Sequence, residues 1–231
     1  MDFAILGPLR VVDGDADIEL GGPRQQRVLA CLLAAHPEEL SADQLVYEVW
    51  NEDPPETASH VLRTYLSGLR IPLGKRITSD RHHYGVDTSA DWVDAIEFMD
   101  LVAEAETMRR SDPGRAANLL AMGEALWRGR PFGDLGDGSL LLERRASELQ
   151  AARLHANEMR LEAELELGHH RSALSELESL AKAHPFSERI HQLLMLALYR
   201  SERQADALRA GFKLRANMIE QLGIEPSAET R

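Results

Sequence analysis

The chain has 231 residues, is 44% hydrophobic and 28% charged, and carries a net charge of −12. That length holds one large domain or two small ones, and the acid excess argues against a protein that coats nucleic acid indiscriminately. No apolar run approaches the roughly 20 residues that span a bilayer. The opening MDFAILGPLRVVDGD has no basic n-region and reads as a strand. A single cysteine, Cys31, excludes an intrachain disulfide and fits a reducing cytosol.

In chain order, Phe3 to Val12 reads as one or two short strands, Asp13-Gly14-Asp15 as a hairpin turn, and Ala16 to Leu20 as the return strand. Gly21-Gly22-Pro23 ends the sheet, and Pro23 suits the first turn of a helix running to about His36. Val28, Leu29, Cys31, Leu32 and Leu33 make that a core helix, with Arg24 and Arg27 in its first turn. Ser41 and Gln44 form a capping box for a short helix, Ala42 to Trp50, whose Leu45, Val46, Val49 and Trp50 face inward.

Asp53-Pro54-Pro55 then stops the helix, and a new one spans Thr57 to Ile71, ended by Pro72. Ala58, Val61, Leu62, Tyr65, Leu66, Leu69 and Leu73 follow a 3-4 spacing and form a buried stripe. The opposite stripe holds His60, Arg63, Thr64, Ser67 and Arg70, all able to donate to base edges or phosphates. Residues 1–90 carry 8 Lys+Arg against 14 Asp+Glu, yet Thr57 to His82 holds five basic residues and one acid. The positive charge is thus concentrated on this helix and its sequel. Ile77-Thr78 and Tyr84 to Asp87 read as two short strands around Ser79 to His83. Strands, three helices and a closing hairpin are the order of a winged helix-turn-helix.

From Trp92 onward strand signals vanish. Helices are expected over Asp94 to Met108, with Ile96, Met99, Leu101 and Val102 in the core, and over Ala116 to Trp127. Gly129 to Gly138 is a loop, and Leu140 to Leu167 is one long helix or two in tandem. A shift of 34 residues then sets Leu161 on Met195, Ala163 on Ala197, Ala173 on Ala207 and Leu174 on Leu208. That period, with small residues at helix contacts, is a tetratricopeptide signature. Trp50, Trp92 and Trp127 are expected as core or interdomain anchors.

Several segments together resemble one family. They are FAILGPLRV, LGGPRQQRVLACLL, LVYEVWNEDPPETA, LRTYLSGLR and HYGVDTSADWVDAIEF, then ALWRGRPFGDL, the stretch from Glu166 to Leu208, and LGIEPSAE. In this order they are similar to the SARP-type bacterial transcriptional activators, and they span nearly the whole chain. The resemblance implies residues 1–90 as a winged-helix DNA-binding domain and 91–231 as a helical, tetratricopeptide-like bacterial transcriptional activation domain. It also implies double-stranded DNA and RNA polymerase as partners, with cooperative binding of protomers on direct repeats and an actinobacterial origin. Gly68, Ile71 and Pro72 stand where the family's groove helix has a denser basic end, and the wing tip reads Arg81-His82-His83-Tyr84 in place of Pro-Pro-Gly-Tyr. The family pattern runs on past Glu225-Pro226-Ser227 into another helix, so the chain reads as a fragment of a longer regulator.

No phosphate-binding G-x-x-x-x-G-K-[ST] or G-x-G-x-x-G is present. His82-His83 and His169-His170 are adjacent pairs, without the i, i+4 spacing of a helical metal site. No catalytic constellation, cofactor or metal is called for. The expected fold is mixed: an N-terminal α/β winged helix-turn-helix followed by an all-α tetratricopeptide-like domain. The expected function is a cytoplasmic, non-enzymatic regulator that activates transcription. His60, Arg63, Thr64 and Ser67 approach bases, while Arg24, Arg27, Arg70, Lys75, Arg76 and Arg81 hold phosphates. The helical half offers a surface to RNA polymerase, another protein or a second protomer. The competing expectation is an interaction module, or an antagonist of other regulators, that has lost DNA binding.

Overall fold

Short alternating segments at the N-terminus build the first sheet. In the computed structural model, which describes residues 1–51, 53–228 and 230, β1 (Asp2–Ala4) pairs antiparallel with β2 (Arg10–Asp13), and β2 with β3 (Ala16–Asp17). Phe3 sits opposite Val11, and both are buried. The return strand is shorter than the expected Ala16 to Leu20. Ile18 still donates its amide to Val11 O at 2.9 Å, but Leu20 turns into the core ahead of the break at Gly21-Gly22.

Pro23 occupies the first turn of α1 (Pro23–Ala35), where its missing amide costs no hydrogen bond. Every residue from Val28 to Ala34 is buried, because α1 packs between several elements. β4 (Leu40–Ser41) leads into α2 (Ala42–Trp50). The capping box is complete: Gln44 N donates to Ser41 Oγ at 3.2 Å, and Ser41 N to Gln44 Oε1 at 2.8 Å.

The third helix, α3 (Ala58–Leu73), starts without a side-chain cap. Pro72 does not end it, in correction of the sequence reading. The helix runs two residues past Ile71, to Leu73, and terminates at Gly74, whose φ of +62° strains any other residue. A proline is tolerated there because only the last turn loses a bond, and the carbonyl its ring approaches belongs to Gly68. Leu62, Leu66, Leu69 and Leu73 are buried against α1 and α2, each stabilising the unit by roughly 1.5–3 kcal/mol. Val61 and Tyr65 are only half-buried, with Tyr65 stacked on Trp50 at 6.0 Å between centroids.

β5 (Ile77–Asp80) and β6 (His83–Val86) form the closing hairpin, and β4 adds to it in the order β4-β6-β5. β7 (Trp92–Val93) pairs in parallel with β1, so the first sheet is β3-β2-β1-β7. Neither β4 nor β7 shows in the sequence, since two residues carry no alternation and become strands only by meeting a partner. Trp92 is 38% exposed, so of its expected roles as a core or interdomain anchor the first does not hold.

By packing, the chain separates into two compact units: residues 1–100 with 123–153, and residues 101–122 with 154–231. Residues 123–153 therefore pack with the N-terminal strands. Leu6 O accepts the Arg128 amide at 2.8 Å, Ile5 O accepts the Phe132 amide at 3.0 Å, and Phe132 is fully buried. Trp127 meets Phe98 edge-on at 5.4 Å, and the Arg153 guanidinium lies 4.6 Å over its ring. Gly7 allows this packing, because a Cβ there would come within 2.9 Å of Arg128 Cβ.

The helices from residue 94 onward are α4 (Asp94–Met108), α5 (Pro113–Ala125), α6 (Leu140–Glu166), α7 (His170–Ala183), α8 (Glu188–Arg200) and α9 (Gln204–Leu222). The α4 stripe is rotated from the expected one. Ala95, Phe98, Val102 and Ala105 are buried along with Leu101, whereas Ile96 and Met99 are 45% and 42% exposed. The next helix starts at Pro113 and stops at Ala125, not at Ala116 and Trp127, because Pro113 serves as its first-turn residue. Leu140 onward is one continuous helix.

The 34-residue repeat is visible as packing. Leu161, Leu165, Ala173, Leu177, Leu193, Leu194, Ala197, Leu198 and Ala207 form one core, which places Ala173 and its equivalent Ala207 in the same interior. The repeat breaks at the next pair: Leu174 packs against this core, while Leu208 is 65% exposed. Phe212, Ile219 and Leu222 are also exposed, so the outer side of α9 carries an apolar stripe beside Arg209, Lys213 and Glu220. Among the described residues no helix is long and apolar enough to cross a membrane.

Candidate nucleic-acid interface

The third helix places its polar stripe by anchoring the apolar one. Leu62, Leu66, Leu69 and Leu73 hold one side, so His60, Arg63, Thr64 and Ser67 lie together on the exposed side at i, i+3, i+4 and i+7. Thr64 Oγ1 donates back to His60 O at 3.2 Å, which leaves its oxygen lone pairs facing outward. Among the described residues, Arg63 has no hydrogen bond or ion pair, so its guanidinium projects free. One turn past Ser67 the same stripe ends in Ile71, which is 86% exposed.

The proposed phosphate holders divide into two groups. Arg24, Lys75 and Arg81 are exposed. The other three are engaged within the protein. Arg27 donates to Asp137 O at 2.7 Å, and Arg70 to Ser79 Oγ at 3.0 Å and Ile77 O at 3.4 Å. Arg76 forms a two-pronged pair with Asp91 at 2.5 and 2.8 Å. Asp91 is almost fully buried, and the Arg76 guanidinium beside it holds its carboxyl below the usual range. The sequence signalled none of these partners, since the acceptors lie from 7 to 110 positions away and become neighbours only through the fold.

The hairpin tip is tight. Asp80 pairs with His83, so only Arg81 and His82 make the turn, with φ of +49° and +109°. Two-residue hairpin loops favour Asn-Gly because both residues need positive φ. Here the strained tip is held by β4, and His82 O accepts the Ala42 amide at 2.9 Å. The combined change Arg81→Asn and His82→Gly is expected to relieve about 1–2 kcal/mol of backbone strain. A thermal melt should therefore rise by several degrees, and an unchanged or lower midpoint would contradict the strain.

Cys31 is fully buried, and desolvation pushes its thiol up to about 12, which leaves it unreactive. Among the described residues no group of three or more His, Cys, Asp or Glu side chains is placed to hold a metal ion.

Three helices followed by a β-hairpin, with the third helix presenting a free polar stripe, define a winged helix-turn-helix unit. Residues 15–84 match the family described as transcriptional regulatory protein, C terminal, and residues 93–231 match the bacterial transcriptional activator domain. The chain is 37% identical over 229 residues to the regulatory protein AfsR of Streptomyces griseus, covering 98% of this chain and 23% of that protein. It is 30% identical over 243 residues to the transcriptional regulator RedD of Streptomyces coelicolor, covering 100% of this chain and 68% of that protein. A solved structure of Mycobacterium tuberculosis EmbR in complex with a low affinity phosphopeptide aligns at a TM-score of 0.93 and 28% identity, over 100% of this chain and 62% of that one. The chain thus belongs to the SARP family of bacterial transcriptional activators. It spans about a quarter of the length of the AfsR relatives it matches.

Proposed function

We propose that this chain is a sequence-specific DNA-binding regulator that activates transcription. In this reading residues 1–90 are the DNA-binding domain and 91–231 the activation domain. The third helix docks in the major groove, where His60, Arg63, Thr64 and Ser67 reach base edges. Arg24, Lys75 and Arg81 hold phosphates, while Arg27, Arg70 and Arg76 contribute field from within their internal bonds. The helical domain docks RNA polymerase or another protein, and a second protomer binds on direct repeats. The protein acts in the cytoplasm and performs no catalysis.

The observation that carries this reading is the free Arg63 stripe on a helix whose other side is locked by four buried leucines. The buried leucines fix the helix backbone, so docking has only the exposed side chains left to order and loses less affinity to that cost.

With three unpaired cations on phosphate and Arg63 in the groove, the log-log slope of affinity on salt should be about −3 to −4. Affinity should then fall roughly a hundredfold between 50 and 200 mM salt. The test is mobility shift and anisotropy titration with genomic fragments across that range. One observation favours the competing reading of an interaction module without DNA binding: Arg27, Arg70 and Arg76 are already bonded within the protein. Failure to bind any fragment at 50 mM salt would select that reading.

A further inference from the structure

Ile71 is the most exposed large hydrophobic side chain among the described residues, at 86%. It lies on the stripe of His60, Thr64 and Ser67, four residues beyond Ser67, amid Arg63, Arg70 and Lys75. An apolar group left in water on a polar face contributes nothing to this fold, so its use lies in what it meets.

From this we infer that Ile71 is a specificity-determining residue that packs on the C5 methyl of a thymine; the inference rests on the groove-docking reading above. In the major groove the thymine methyl is the one apolar feature a base edge presents, and apolar side chains distinguish it from cytosine and purines. Ile71 is suited to that contact by rigidity. Its β-branch leaves essentially one χ1 rotamer in a helix. The backbone beneath it is fixed by Leu69 and Leu73, both fully buried, and by the ring of Pro72. A polar base edge facing Ile71 would lose its water without gaining a bond, so the residue also selects against other bases. Where the family's groove helix has a denser basic end, this chain exchanges phosphate attraction for a sequence-dependent apolar contact.

The experiment uses the full chain and a site obtained by selection of bound DNA. Each thymine of that site is replaced singly by deoxyuridine, which removes only the methyl group, and affinity is measured for the wild type and Ile71→Ala. At one thymine the wild type should lose about three- to tenfold. At that position Ile71→Ala should bind thymine and uracil DNA equally, at the level of wild type on uracil DNA. Its thermal melt should match the wild type, because the side chain is exposed. If every uracil effect persists unchanged in Ile71→Ala, the contact is absent and the inference fails while groove docking stands. If the wild type selects no DNA, groove docking fails and this inference with it.

Discussion

Asp94→Ala is expected to destabilise the N-terminal unit by about 3–5 kcal/mol, the scale of breaking a buried charge pair. The Asp94 carboxylate accepts the amides of Ile5 and Leu6 at 2.8 and 2.9 Å and meets the Arg128 guanidinium at 3.3 Å. Burial pushes the carboxyl above its usual range, against the pull of those two amides and Arg128. Alanine would leave two buried amides without acceptors and release the guanidinium that also donates to Pro8 O at 3.0 Å. Since Arg128 and Phe132 hydrogen-bond to Leu6 and Ile5, the segment after α5 should loosen with the strand. Urea denaturation followed by tryptophan fluorescence reads this, since Trp50, Trp92 and Trp127 all lie in that unit. Asp94→Asn keeps one acceptor oxygen and should fall between the two, and a loss under about 1 kcal/mol in Asp94→Ala would refute the proposed lock.

Arg63→Ala is expected to weaken specific DNA binding about ten- to a hundredfold while changing non-specific binding much less. The side chain is exposed, unpaired and one turn into the third helix, with Thr64 beside it and Ser67 a turn further. A guanidinium in that place can pair with both acceptors of a guanine, which phosphate-holding side chains do not do. The thermal midpoint should not move, since no bond within the fold is lost. Titration against operator and scrambled DNA at one salt concentration separates the outcomes. Equal losses on both DNAs would make Arg63 a phosphate holder, and no loss on either would remove it from the interface. Lys75→Ala is the control: it should lower both affinities alike and make the salt slope shallower by about one.

Much of the architecture was legible because it is local. The capping box at Ser41 and Gln44, the proline at the start of α1 and the 3-4 stripe of the third helix each need only neighbours in sequence. The short strands β4 and β7 were not legible, because nothing in Leu40-Ser41 or Trp92-Val93 distinguishes a strand from a loop until Tyr84 or Asp2 lies alongside. The α4 stripe shows the same limit: Ile96 and Met99 are as apolar as Phe98, and only the neighbouring elements decide which side is inward.

The amino-acid order by itself determined where the helices of the N-terminal half lie and the phase of the third, whose free face carries Arg63, since periodicity and capping act over a single turn. Tertiary structure alone decided which cations remain available. Arg76 and Lys75 are adjacent and alike in sequence, yet one is held by Asp91 and the other is exposed. Tertiary structure also placed residues 123–153 with the N-terminal strands and left Ile71 in solvent. The physical reason is common to all three. Ion pairing, burial and exposure depend on distances between residues that are not neighbours in sequence, and those distances exist only once the chain has folded.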